Sequence, residues 1–249
     1  MLGLLERMIA AQTIDEVWTC YLKGLEALGF AKAMYGLVNF HPKLPSFASF
    51  EDILFLSNHD KAYLDIFIGE ELYKDAPMVK WAAENAGAAS WRQVAAMYEA
   101  GTLSEAEMRV IQFNRRMGVI AGYSISFRGL SVRSKGTLGL VGAPGLTQDD
   151  VDGIWDEQGQ KIMTLSSLLH LKATNLPRDL PYSLTERQRE ALEWVAEGKT
   201  TQDIALLMDI SIAMVEKHLR LARDAMDVET TAHAVAKASR LNQIFSSRG

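Results

Sequence analysis

Lys217, His218, Arg220 and Arg223 fall on one helical run, Ile212 to Met226, and Lys199 with Thr200 stand just ahead of the helical run before it. Cations at helical spacing can neutralise phosphates and reach base edges, which is the chemistry of duplex DNA recognition and not of catalysis. Catalytic patterns are missing. His41, His59, His170, His218 and His233 show no metal-ligand spacing, and neither a Ser-His-Asp set nor a paired-carboxylate signature stands out. No acidic pair follows the early strand at Leu37 or Val38, which argues against a phosphoreceiver domain. The run Gly136-Thr137-Leu138-Gly139-Leu140-Val141-Gly142 lacks the helix and acidic residue of a nucleotide loop and reads as a glycine-rich strand beside a ligand. Cys20 is the sole cysteine and reads as a buried structural thiol. These readings describe a protein that is not an enzyme and carries neither cofactor nor metal.

The elements that must position such residues follow from length and punctuation. A chain of 249 residues favours two domains, and 48% apolar with 23% charged residues excludes disordered, collagenous and disulfide-stapled classes. No apolar stretch approaches the roughly 18 residues that span a bilayer, so a cytoplasmic protein without a membrane partner is expected. The seam is Lys172 to Ser183, where Pro177 and Pro181 can continue neither neighbouring helix. Ahead of it lie helical periods at Leu2 to Gln12 and Ile14 to about Gly29, and a β-like run from Ala33 to Phe40. A loop at His41 to Asp52 and a short strand at Ile53 to Leu56 come next. Helical stretches then run from Asp60 to Met117, broken near Asp75 to Pro77 and around Gly87 to Trp91. Strands at Ile120 to Arg128 and Thr137 to Gly142 and a long helix from Thr147 to Leu171 close the region. The apolar face of that helix, with Ile154, Ile162, Leu165, Leu168 and Leu169, either pairs two copies or packs on its own sheet. The expected fold is α+β: an N-terminal α/β/α sandwich with a mostly antiparallel sheet (1–171), a linker (172–182) and an all-α four-helix helix-turn-helix domain (183–249).

Beyond the seam, Thr185 opens a helix that Gly198 ends, and Thr200 or Thr201 caps a short helix with Ile204, Ala205 and Leu207 inward. Asp209-Ile210-Ser211 then turns the chain, and Ser211 caps the next helix. Two helices joined by a tight turn, the second one cationic, make the helix-turn-helix geometry. The pattern L-T-x-R-x-x-x-x-L-x-x-x-A-x-G-K-x-x-x-x-I-A-x-x-x-x-I-S-x-x-x-V-x-x-H-L, ending in A-V-A-K-A, resembles the DNA-binding domain of LuxR-type transcription regulators. Gln188, Met214, Leu221 and Ala225 depart from it, and Ser183 to Gly249 carries Lys 3 and Arg 6 against Asp 4 and Glu 6, a formal charge of −1. Most DNA-binding modules are visibly basic.

The N-terminal region resembles the autoinducer-binding domain of the same family, whose site reads S-N-Y-P-x-x-W-x-x-x-Y, then D-P, a lone W and G-x-x-x-G. Ser57 and Asn58 match; His59 stands for the Tyr, Tyr63 for the Trp, Phe67 for the second Tyr, Asp75 for the Asp and Trp91 for the later Trp. Gly118 and Gly122 stand for the glycines, and Ala76 intervenes before Pro77. The resemblance implies an N-acyl-homoserine lactone as signal, with Asp75 accepting its amide N–H, Tyr63 and His59 donating to its carbonyls, and Phe67 and Trp91 walling it. It further implies a homodimer on a double-stranded DNA operator that Lys199, Thr200, Lys217, His218, Arg220 and Arg223 contact. An alternative is a ligand-independent LuxR-like protein that inhibits a partner regulator by heterodimerisation.

Overall fold

The computed structural model describes residues 1–39, 53–128, 134–177 and 184–245. The loop expected at His41 to Asp52 and the second half of the expected linker lie outside the described residues. The chain divides into two compact units, Met1–Ala11 with Asp15–Leu171, and Lys172–Gly249 with Gln12–Ile14.

The first unit is built on a five-stranded antiparallel sheet in the order β2-β1-β5-β4-β3, with β1 at Phe30–Asn39, β2 at Leu54–Ser57, β3 at Gly87–Ser90, β4 at Gly122–Ser126 and β5 at Ser134–Gly142. The register Tyr35↔Leu138 and Ile125↔Leu138 aligns the three central strands. Side chains alternate between the two faces. One face holds Tyr35, Tyr123 and Ile125, and it meets the helices α2 (Ile14–Glu26) and α7 (Gln148–Asn175). Ile162, Leu165 and Leu169 of α7 are wholly buried within one copy of the chain and pack as core, whereas Ile154 and Leu168 of the same face are half-buried. The two helices are joined by a buried hydrogen bond between Tyr21 Oη and Ser166 Oγ, 2.8 Å long. Tyr123 stacks on Trp155 of α7 with ring centroids 4.0 Å apart. The opposite face carries α3 (Lys61–Phe67), α4 (Pro77–Glu84), α5 (Arg92–Glu99) and α6 (Glu105–Arg116). The helix α1 (Leu2–Ala10) buries Met8. This is the expected sandwich with helices on both faces.

Several local expectations need correction. The break at Gly87 to Trp91 is a strand, because the backbone of Ala88 and Ala89 pairs with Ile125 and Ser124 although Gly-Ala-Ala-Ser has no strand preference of its own. The long helix runs on to Asn175, past Leu171, since no proline interrupts it before Pro177. Cys20 is half-buried. Among the described residues, no helix is long and apolar enough to cross a membrane.

The second unit is all-helical: α8 (Glu186–Ala196), α9 (Thr201–Leu207), α10 (Ile212–Ala225) and α11 (Thr231–Arg240). Thr185, Thr200, Ser211 and Thr230 each accept a backbone N–H from the residue three positions on, satisfying donors that a helix start leaves open. Gly198 at φ +78° and Asp209 at φ +54° make the left-handed turns between helices. Leu192, Ile204, Met208, Val215, Leu219 and Ala222 form the core. Leu207, expected inward, is 49% exposed, and Met208 takes the inward place.

Candidate functional site

Between the sheet and α3 to α6 lies a cavity of about 260 Å³, floored by Met34, Gly36, Thr137 and Gly139. Its aromatic wall is a continuous stack. His59 lies 4.5 Å from Tyr63, and Tyr63 lies 5.2 Å from both Phe67 and Phe113, centroid to centroid. The three-and-four spacing of a helix puts Tyr63 and Phe67 on one face of α3. Tyr63 donates its hydroxyl to Asn114 Oδ1 at 3.0 Å, and burial raises its pKa. Opposite, Trp91 Nε1 donates to Ser124 Oγ at 2.9 Å. Gln148 holds both backbone groups of Gly122, accepting its N–H at 3.0 Å and donating to its carbonyl at 3.2 Å. A Cβ on Gly122 would strike the Leu140 carbonyl and the Trp91 ring, whereas Gly118 has open space around it but turns through φ +73°. The two glycines thus serve different purposes, a close approach and a left-handed turn.

His59, Tyr63, Phe67 and Trp91 therefore meet at one cavity. Asp75 does not join them. It caps a 3-10 turn at Leu72–Lys74, and its carboxylate is 43% exposed and pairs with Lys80 at 3.8 Å. The residue that lines the cavity just before Pro77 is Ala76, 6% exposed. The extra residue between Asp and Pro carries the carboxylate off the wall. Asp75→Asn is accordingly expected to leave ligand-induced thermal shifts unchanged; a shift reduced tenfold in ligand affinity would contradict this placement. Asn114, Ser124 and Gln148 were missed, since single polar residues in a helix or strand carry no local motif.

Burial pushes the His59 pKa down to about 4, aided by Lys32 and opposed by Asp60. Burial does the same to His170 on the far face of the sheet, where Tyr35 hydrogen-bonds Nδ1 at 2.8 Å and Phe127 stacks at 4.3 Å. Between about pH 4 and the ordinary value of 6.5 the unfolded chain binds protons that the folded chain refuses, so stability falls as pH drops through that window. Urea midpoints of the sensor unit are expected to decline from about pH 7 to about pH 5, less steeply in His59→Gln. A flat profile would show that these rings protonate freely in the fold.

On the second unit, Lys217 and Arg220 are exposed along α10, Arg220 in an ion pair with Asp224 at 3.1 Å. His218 is half-buried. Arg223 is turned to the next helix, donating to Thr231 Oγ1 at 2.9 Å. Lys199 is exposed, and the Thr200 hydroxyl is committed to Asp203, donating to its carboxylate at 2.6 Å. The exposed cations among these residues are thus Lys217, Arg220 and Lys199, with Arg223 in a packing position.

A sensor sheet with an apolar cavity and a separate capped helix-turn-helix define a ligand-responsive transcription regulator. Residues 13–173 match the autoinducer binding domain family, and residues 183–226 match sigma-70 region 4. The chain is 23% identical to the transcriptional activator protein AnoR of Acinetobacter nosocomialis over 94% of each chain. It is 22% identical to LuxR of Aliivibrio fischeri over 75% of this chain and 73% of that one. Escherichia coli SdiA shares the fold with a TM-score of 0.57 at 17% identity, over 98% of this chain and 97% of that one. The lactone-dependent factor CepR2 from Burkholderia cenocepacia gives 0.54 at 17%, over 67% and 88%. The chain belongs to the autoinducer-binding family and is a quorum-sensing transcription regulator of the LuxR type. Its curated relatives are regulators, not enzymes.

Proposed function

We propose that the sensor unit (residues 1–171) binds a small acyl autoinducer, an N-acyl-homoserine lactone or a related signal, in the cavity walled by His59, Tyr63, Phe67 and Trp91. The linker (172–182) joins it to a DNA-binding unit (183–249) that acts as a homodimer on a twofold operator in the cytoplasm. The observation that carries this reading is the apolar cavity inside the unit that the autoinducer family spans. An acyl tail gains about 25 cal/mol for each Å² it buries there. A ligand that binds only the folded state adds RT ln(1 + [L]/Kd), about 2.7 kcal/mol at a hundredfold excess over Kd. Thermal melts with acyl lactones of several chain lengths, with and without an amide, are expected to show this shift. If none of them moves the melting temperature, the cavity is not a signal site. The inhibitory heterodimer is not favoured, because the sensor keeps its cavity and the recognition helix keeps two exposed cations.

A further inference from the structure

We infer that the first turn of α10 reads thymine in the operator by its C5 methyl group, through Ile212 and Met214. The inference rests on the reading of α10 as the recognition helix and concerns which base edges that helix selects.

The side chains of α10 sort into two faces. Val215, Leu219 and Ala222 are buried in the helical core, and on the outer side Lys217 and Arg220 are exposed. Ser211 fixes where the helix begins, its hydroxyl accepting the Met214 N–H. Helical spacing then sets Met214 one turn ahead of Lys217, and Ile212 one turn ahead of Glu216 and two ahead of Arg220. Both are large apolar side chains left open, Ile212 45% and Met214 39% exposed. Met214 is moreover a position at which this chain departs from the LuxR-type pattern. The open apolar turn is therefore continuous with the cations that α10 presents to DNA.

A recognition helix in the major groove brings the residues of its N-terminal portion to the base edges. An isoleucine side chain offers those edges neither donor nor acceptor, and a methionine thioether is only a weak acceptor. Laid over guanine, adenine or cytosine, they would strip water from polar groups and return no hydrogen bond, which is costly. The apolar feature of the groove is the thymine methyl, and covering one with such side chains is worth about fourfold in affinity. The charges agree with this placement. Glu216 is exposed beside Ile212 and Lys217; its carboxylate is repelled by phosphates, whereas among base edges it finds a donor in cytosine N4. A unit of formal charge −1 also gains little from counterion release, so apolar contacts carry a larger share of its preference.

The test uses the full-length protein, with N-octanoyl-homoserine lactone present and absent, and an operator obtained by selection from random duplexes at low salt. Each thymine of that operator is replaced in turn by deoxyuridine, which lacks the C5 methyl and keeps the same pairing. At one or more positions the replacement is expected to weaken binding about fourfold. The factor is expected to stay the same as salt is raised, because removing a methyl exchanges no counterion. Ile212→Ser and Met214→Ser change exposed positions and leave the core intact; each is expected to bind the thymine and deoxyuridine operators about equally at the position it reads. A wild type indifferent to every replacement overturns the inference and leaves DNA binding standing. A penalty undiminished in both variants assigns the methyls to other residues and overturns it as well. Variants that keep the penalty but lose promoter activation show that this turn meets a protein instead. If no sequence is enriched with or without the lactone, the reading of α10 as a recognition helix fails, and this inference with it.

Discussion

Gly122→Ala is expected to destabilise the sensor unit by about 3 kcal/mol and to abolish its response to ligand. The added Cβ meets the backbone carbonyl of Leu140 on the paired strand, which cannot turn aside without breaking the β4 and β5 ladder. Trp91 offers no relief, since its ring lies against the same position and its indole N–H is fixed on Ser124. Whatever shifts, the cavity wall shifts with it. Gly118→Ala is the control: it meets open space and costs only the strain of φ +73°, about 1 to 2 kcal/mol. Paired denaturant melts and ligand-shift measurements decide the matter, and a Gly122→Ala protein as stable as wild type would contradict the close approach.

The second large effect is on DNA. Arg220→Ala is expected to weaken operator binding by about 1 to 3 kcal/mol if the guanidinium reads a base, or to lower the salt slope by about one unit if it contacts phosphate. Lys217→Ala should lower the slope alone. Arg223→Ala is expected to behave differently, reducing the stability of the helical unit through the lost bond to Thr231 while leaving the salt slope as it was. Titration at several salt concentrations separates the two behaviours. Should Arg223→Ala lower the slope as Arg220→Ala does, the division between a DNA face and a packing face of α10 fails.

What could be read from the residues was what is encoded locally. Thr185, Thr200 and Ser211 announce helix starts because a short hydroxyl side chain ahead of a helical period has one physical use there. The stack of Tyr63 and Phe67 was legible for the same reason, one helical turn placing both rings side by side. The strand Gly87–Ser90 was not, because its state is imposed by the backbone of β4. At the end of α9 three apolar residues, Leu206, Leu207 and Met208, compete for two directions, and only the packed unit shows that Met208 wins. Asp75 lies off the cavity lining, its carboxylate half-exposed beside Lys80, and the residue next to Pro77 is Ala76. Asn114, Ser124 and Gln148 become neighbours only when α6, β4 and α7 are assembled around the cavity.

The two edges of the sensor sheet are its shortest strands, Leu54–Ser57 and Gly87–Ser90. A sheet edge carries backbone amides and carbonyls with no strand beyond them. Long edges would then offer rows of unpaired amides to other copies, and the population would drain into aggregates. Here the edges present few such groups, and beside Gly87–Ser90 the side chains of Arg92 and Asp152 are clasped together by a charge-assisted bond of 2.8 Å. Brevity at the margins thus leaves little backbone on which another copy could add a strand.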